Sequence, residues 1–162
     1  MIPRKRRPPE IHGDIALVDL AGRAWVIVDV EDLPRVVQKP WSRVKGKHTF
    51  YASSGGKLYL HRFILGATKS QQVDHVNGDG LDNRKSNLRF ASQAQNNANG
   101  RNRTWREHFR GVRPHVRKWT AQVTFNSRAI YLGTFDTEVA AATAYDAKAR
   151  ELFGEFAKGN FQ

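Results

Sequence analysis

The deciding stretch is Val73-Asp74-His75-Val76-Asn77-Gly78-Asp79-Gly80-Leu81-Asp82-Asn83-Arg84, followed by Ser86-Asn87-Leu88-Arg89-Phe90 and then Ser92-Gln93-Ala94-Gln95-Asn96-Asn97. Val73 ends a predicted strand, and Asn77-Gly78-Asp79-Gly80 is a tight turn of residues that tolerate positive φ. Leu88-Arg89-Phe90 reads as a returning strand. Ser92, with Gln95 three positions on, is a capping box that starts a helix running to Asn99. The predicted order is strand, loop, strand, helix.

That order gathers hard oxygen donors around one imidazole. Asp74 offers a carboxylate and Asn96 an amide oxygen, ligands suited to Mg²⁺ or Mn²⁺ with water completing the shell. His75 follows Asp74, so its side chain points to the other strand face and stands beside the metal instead of on it. Imidazole accepts a proton from water near neutral pH, while the metal offsets charge on the phosphate and on the departing 3′ oxygen. Asn87 is expected to hold the loop by side-chain hydrogen bonds to backbone, fixing the His75 ring. Other cation sites fail on spacing. A calcium loop set on Gly80 would begin at His75 and end at Ser86, neither a carboxylate. Zinc prefers Cys or several His, and the chain has no Cys and only His75 between residues 62 and 107. Taken singly, Asp74, Asn77, Asp79 and Asn87 also read as plain turn formers; as an ordered set ahead of a capped helix they read as a hydrolytic site.

Composition narrows the partner. The 162 residues carry 27 Lys and Arg against 15 Asp and Glu, a formal net charge of +12, so a polyanion is the first ligand to consider. Without cysteine, a disulfide scaffold, a thiolate zinc ribbon and a cysteine nucleophile are excluded. No apolar run approaches the ~20 residues of a membrane span, and the basic, Pro-rich Met1 to Glu10 does not read as a secretory signal. A soluble cytoplasmic protein without a membrane partner is expected. Arg101, Arg103, Arg106, Arg110, Arg113, Arg117, Lys118 and Arg128 face only Glu107 before Asp136, a pattern of phosphate tracking. Arg4-Lys5-Arg6-Arg7 before Pro8-Pro9 reads as a flexible arm.

Residues 11 to 65 read as short strands that support the site: Ile15 to Val18, Ala24 to Val28, and a hairpin of His48 to Ala52 with Lys57 to Leu65 around Ser53-Ser54-Gly55-Gly56. Glu31 to Val37 reads as a short helix stopped by Pro40. Residues 109 to 162 follow another pattern. Trp119, Ala121, Val123 and Phe125 alternate with Thr120, Gln122 and Thr124. Asn126-Ser127 turns into Arg128 to Leu132, a strand that Gly133 closes. Thr137 caps a helix through Leu152, with Gly154 beyond its end. One covering helix leaves the Thr120/Gln122/Thr124 face open, with Arg113, Arg117 and Arg128 near it, a surface that suits the DNA major groove.

The words Leu60-His61-Arg62, Val73 to Arg84, Asn87-Leu88-Arg89 and Gln95-Asn96-Asn97 resemble the HNH endonucleases of phage homing type over residues 55 to 99. The resemblance implies a ββα-metal fold cutting DNA phosphodiesters, with His75 as general base, Asp74 and Asn96 as metal ligands and Asn87 as the middle, structural Asn. The sequence departs from the family name in having Asn96 where the third letter is His, which favours Mg²⁺-like ions. His61 is read as a packing or hydrogen-bonding residue on a strand. Arg62, Arg84 and Arg89 either meet phosphate or brace Asp82, the phosphate role being preferred for Arg84 and Arg89.

Phe109-Arg110-Gly111-Val112-Arg113, Lys118-Trp119-Thr120-Ala121, Tyr131-Leu132-Gly133-Thr134-Phe135-Asp136-Thr137, Ala140-Ala141, Ala144-Tyr145-Asp146 and Asn160-Phe161 are similar to the plant ethylene-response-factor DNA-binding domain. This second resemblance implies a three-stranded sheet in the major groove backed by one helix, with Arg110, Arg113, Trp119 and Tyr131 as DNA contacts. Arg117, Lys118 and Arg128 join them on charge. Trp119 and Tyr131 equally suit a role as sheet anchors. Gln122 and Thr124 stand where that family carries an acidic and then a basic residue, and the run before Trp119 is shorter, so no target sequence transfers.

The expected architecture is therefore α+β: a nuclease domain over residues 1–99 with amino-terminal β support, a linker over 100–107, and a sheet-and-helix DNA reader over 108–162. The expected function is Mg²⁺- or Mn²⁺-dependent cleavage of double-stranded DNA by a monomer, in the setting of a phage protein in its bacterial host. One site per chain points to nicking or sequential cutting. The rivals are a noncatalytic DNA-binding regulator carrying a decayed nuclease and an RNA-binding protein, the latter lacking the stacking aromatics of RNA-reading sheets.

Overall fold

The computed structural model describes residues 6–100 and 108–161. Arg4 and Lys5 of the expected arm, residues 101–107 of the expected linker, and Arg101, Arg103 and Arg106 with them lie outside the described residues. The fold is mixed α+β, with several small antiparallel sheets and, among the described residues, four α-helices. None of those helices is long and apolar enough to cross a membrane. The chain divides into two compact units, Met1–Ala91 and Ser92–Gln162.

In the first unit, β1 (Glu10–His12), β2 (Ile15–Asp19) and β3 (Trp25–Asp29) form an antiparallel meander. A 3-10 turn at Val30–Asp32 leads into α1 (Leu33–Val36), with Pro34 in its first turn, where a missing N–H costs nothing. A second sheet holds β4 (Ser42–Lys45), β5 (Phe50–Ser54) and β6 (Leu58–Tyr59), and the hairpin of β7 (Gln72–His75) and β8 (Leu88–Ala91) completes the unit. The alternating Ala16, Val18, Val26 and Val28 meet Leu20, Val36, Trp41, Ala52, Leu60, Ile64 and Leu88 in one buried core. Trp41 is wholly buried, and its indole N–H donates to the Val36 carbonyl at 2.7 Å.

Two expectations for this unit are corrected. Lys57 to Leu65 is not a single strand: β6 ends at Tyr59 and α2 (Leu60–Leu65) follows, so His61 and Arg62 are helical. Leu60 and Ile64, one helical turn apart, both bury into the core. Gly66, at φ 62°, ends the helix in the left-handed conformation and donates back to its last turn. The second correction concerns the arm, whose Arg6 and Arg7 are docked. The Arg7 backbone N–H and guanidinium both donate to the buried Asp19 carboxylate at 3.1 Å, and the guanidinium lies 4.1 Å from the Trp25 ring centroid. Arg6 donates to the Trp41 carbonyl at 3.1 Å. A buried carboxylate and an aromatic ring both attract a guanidinium.

In the second unit, α3 (Gln93–Asn99) begins with the complete Ser92/Gln95 capping box. β9 (Val112–His115), β10 (Lys118–Phe125) and β11 (Arg128–Phe135) form a sheet in the order β11-β10-β9, and α4 (Glu138–Phe153) covers one face. Asn126 and Ser127 both take positive φ, the geometry that matches the strand twist in a tight hairpin. Gly133 does not close β11. It sits opposite Ala121 at a bulge with φ 127°, and pairing continues to Phe135. Val112, Ala121, Ala141 and Ala142 make the core, flanked by Phe109, Trp119, Leu132 and Phe135. The small alanines of α4 allow close approach of helix and sheet. Thr137 accepts the Ala140 N–H at 3.1 Å, and Gly154 follows the helix. Beyond it, the buried Asp146 carboxylate accepts the backbone N–H groups of Asn160 and Phe161 and the Asn160 amide. Asn160 in turn accepts the Arg110 backbone N–H at 2.6 Å, so the carboxyl-terminal segment fastens the start of the sheet to the helix.

Candidate functional site

Asp74 and His75 end β7, both about 6% exposed. The β7–β8 register pairs Asp74 with Arg89 and His75 with Leu88, so successive side chains take opposite faces of the hairpin. Asp74 Oδ2 accepts from Arg89 Nε at 3.0 Å and lies 3.0 Å from Arg89 Nη2. On the other face His75 enters a ring cluster: its centroid is 5.0 Å from His61 and 5.8 Å from Tyr51, and Tyr51 is 5.9 Å from Tyr59.

The loop between the strands is fastened from inside. Asn87, buried, accepts the Asn77 backbone N–H on Oδ1 at 3.0 Å and donates from Nδ2 to the Asp82 carbonyl at 2.8 Å and to Asn77 Oδ1 at 3.0 Å. Its own carbonyl accepts from Val76 N–H at 2.9 Å, and the His75 carbonyl accepts from Gly78 N–H at 2.9 Å. Asn77 Nδ2 donates to Asp82 Oδ2, and Arg84 closes on both Asp82 oxygens at 2.8 and 2.7 Å. The Arg84 guanidinium holds the Asp82 carboxyl below its usual value, overcoming the contrary effect of burial. From behind, Ile27 donates to the Leu81 carbonyl and accepts from Asn83 N–H, and Lys85 N–H donates to Asp29 Oδ2 at 2.7 Å. Gly80 is obligatory here, because a Cβ at that position would run into the Phe50 carbonyl and the Tyr51 ring.

Electrostatics keep both imidazoles neutral. Burial pushes the His75 ring below its ordinary value, outweighing the opposite pull of the Asn83 amide and of the Asp74, Asp79 and Asp82 carboxylates. Burial, reinforced by His75 and Arg62, takes His61 down to about 3. Burial, then Asp74 and Tyr59, pushes the Tyr51 phenol up. A neutral imidazole is the form that can accept a proton.

The donor chemistry suits a hard divalent ion: a buried carboxylate at a strand end, with no thiolate in the chain. Asn96, the second expected donor, is on α3 in the second unit. Asp29, Glu31 and Asp32 also bring carboxylate oxygens within 4.8 Å of one another. That trio already holds cations, with Lys85 Nζ 2.6 Å from Glu31 and 3.4 Å from Asp32, and Arg35 2.6 Å from Asp32. Of the two arginines preferred at phosphate, Arg84 pairs with Asp82 and Arg89 with Asp74; Arg62, whose role was open, donates to the Gln71 and Thr68 carbonyls. Tyr51 and Asn83 join the site without a motif that marks them. Asn83 lies inside the deciding stretch, whereas Tyr51 comes from a distant strand with no signal of its own.

In the second unit, Thr120 pairs with Arg113 and Thr134 and Gln122 with Tyr131, which places these side chains on one face. Tyr131 is 63% exposed and its hydroxyl lies 2.6 Å from Thr134 Oγ1. Trp119 belongs to the opposite face, against the core under α4, with its ring 5.2 Å from His108. Arg117 and Arg128 are exposed, and Lys118 pairs with Asp136 at 2.9 Å. The Arg110 guanidinium donates to the Asn97 carbonyl at 3.1 Å and to the Lys158 carbonyl at 3.4 Å.

No family-wide profile matches the chain. It is 33% identical over 161 residues, covering 93% of this chain and 83% of the other, to a protein of Acanthamoeba polyphaga mimivirus named as an uncharacterized HNH endonuclease. Over 56 residues, 33% of this chain and 17% of the other, it is 43% identical to the dehydration-responsive element-binding protein 2A of Arabidopsis thaliana.

Proposed function

The chain belongs to the HNH endonuclease family, and from that premise we propose that it hydrolyses phosphodiester bonds of double-stranded DNA, with His75 as general base and a divalent ion held through Asp74. The observation that carries this reading is the end of β7, where a carboxylate and a neutral imidazole leave on opposite faces of a strand whose following loop is locked by Asn87. The His75 imidazole takes the proton of the attacking water; packing against His61 and Tyr51 holds its ring in place before substrate arrives. A Mg²⁺ or Mn²⁺ ion held there would supply charge neutralisation for phosphodiester cleavage. Asp74 would provide its anionic ligand. Asn87 and the Asp82–Arg84 pair act by keeping the loop, and thereby the β7 end, in place.

The second unit supplies affinity and register in this proposal. The likeness of its 56 residues to a plant element-binding protein supports DNA as what the sheet meets, and the face of Arg113, Thr120, Gln122 and Tyr131 is the surface left open by α4. The test is a denaturing gel of end-labelled duplex incubated with Mg²⁺ and either the wild type or His75→Ala. Wild-type protein is expected to cut, and the variant to cut at least ~100-fold more slowly while binding duplex equally well. Undiminished cleavage by His75→Ala overturns the assignment of the base.

A further inference from the structure

Arg89 is paired with the carboxylate proposed to hold the metal. Its Nε and Nη2 both lie 3.0 Å from the same oxygen of Asp74, and the side chains are 15% and 6% exposed. A pair this sheltered interacts strongly, and removing either member leaves a charge without compensation. An ion approaching Asp74 therefore meets a carboxylate whose charge is already balanced, with a guanidinium beside it that repels any cation. The same guanidinium is a fork shaped for phosphate oxygens.

We propose that Arg89 is a built-in counterion that keeps the Asp74 site weak for divalent metal in the DNA-free protein, and that it transfers to a backbone phosphate when DNA binds, opening Asp74 to the ion. This rests on the reading of Asp74 as a metal ligand. The consequence is ordered assembly, in which substrate precedes full metal occupancy and the free protein does not carry a loaded centre. The device lies wholly within the β7–β8 hairpin, since positions 74 and 89 are direct cross-strand partners. Arg89 is thus a positioning residue for the metal ligand as well as a phosphate contact.

Manganese supplies the probe. Free Mn²⁺ is measured by its electron paramagnetic resonance signal during titration of full-length wild type, Arg89→Gln, Arg89→Lys and Asp74→Ala, without DNA. Arg89→Gln is expected to bind Mn²⁺ roughly tenfold or more tightly than the wild type. Arg89→Lys, which keeps the charge without the fork, falls between them. Thermal melts give a second readout that survives if Arg89→Gln is poorly stable: Mn²⁺ should raise its Tm, replacing the lost cation, and leave the wild-type Tm nearly unmoved. Equal Mn²⁺ affinity in wild type and both Arg89 variants, with no Mn²⁺ rescue of the melt, overturns the counterion proposal. If Asp74→Ala keeps wild-type metal-dependent cleavage, the assignment of Asp74 as ligand fails instead, so the two failures are distinct.

Discussion

Asn87→Ala probes how the loop holds the site. The substitution removes three side-chain hydrogen bonds, two with Asn77 and one to the Asp82 carbonyl. Asp82 is 3% exposed, so its carbonyl is left without water, at a cost of ~1–3 kcal/mol. Asn77 is exposed, its groups rehydrate, and each of those two bonds costs only ~0.5–1 kcal/mol. The whole loss is about 2–5 kcal/mol, roughly 8–40 °C in the melting of a unit this size. Asn87→Asp sharpens the test. It keeps the acceptor for Asn77 N–H but sets an anionic oxygen against the Asp82 carbonyl and Asn77 Oδ1, so it is expected to be at least as destabilising despite its matched shape. Circular dichroism melts of the full chain, read beside cleavage rates at a temperature where the variant is folded, separate stability from catalysis. Cleavage should fall by ~100-fold even there, because a small displacement of the β7 end misaligns its groups. An Asn87→Ala protein that melts within about 2 °C of the wild type and cuts normally would refute the reasoning.

Three further outcomes are expected. His61 titrates at about 3 when folded against 6.5 when exposed, so below pH 6.5 the unfolded chain takes up a proton that the folded chain refuses. Stability should drop as pH falls from 6.5 towards 3, by up to ~1.4 kcal/mol per pH unit, and His61→Phe should flatten the urea midpoint between about pH 6 and pH 4.5, His75 leaving a residual slope of the same sign. Gly80→Ala should cost ~1–3 kcal/mol, measured by urea denaturation, because the Phe50 backbone cannot retreat from the added carbon. In the second unit, Trp119→Ala should lower stability by ~2 kcal/mol or more, whereas Tyr131→Ala and Arg113→Ala should spare stability and weaken duplex binding in fluorescence anisotropy titrations. Arg113→Ala should also reduce the salt slope by about one.

Where local chemistry determines structure, the sequence was readable. The Ser92/Gln95 box, the Asn126-Ser127 turn, the alternation along β10 and the Thr137-to-Gly154 bounds of α4 each involve neighbours only a few positions apart, and the structure has them. Failures come from partners far apart in the chain. Leu60 to Leu65 mixes helix and strand formers in a run too short to show a period, and the burial of Leu60 and Ile64 one turn apart in the core favours the helix. Asp19 and Trp25 capture an arginine that charge counting assigns to a free arm. Tyr51 reaches the site through Gly80, an approach no motif encodes. Of the candidate site, residue types and order were legible, while the pairing of Asp74 with Arg89 required knowing the hairpin register.

The fastening of Asn160 and Phe161 onto Asp146 bears on any chimera built with the carboxyl-terminal module. Cutting the graft at Phe156, where the last helical turn finishes, would look tidy on a secondary-structure map. It would also strip a submerged anion of its amide donors and unhook Arg110 from the same knot. A transplant carried through Phe161 keeps the buckle shut.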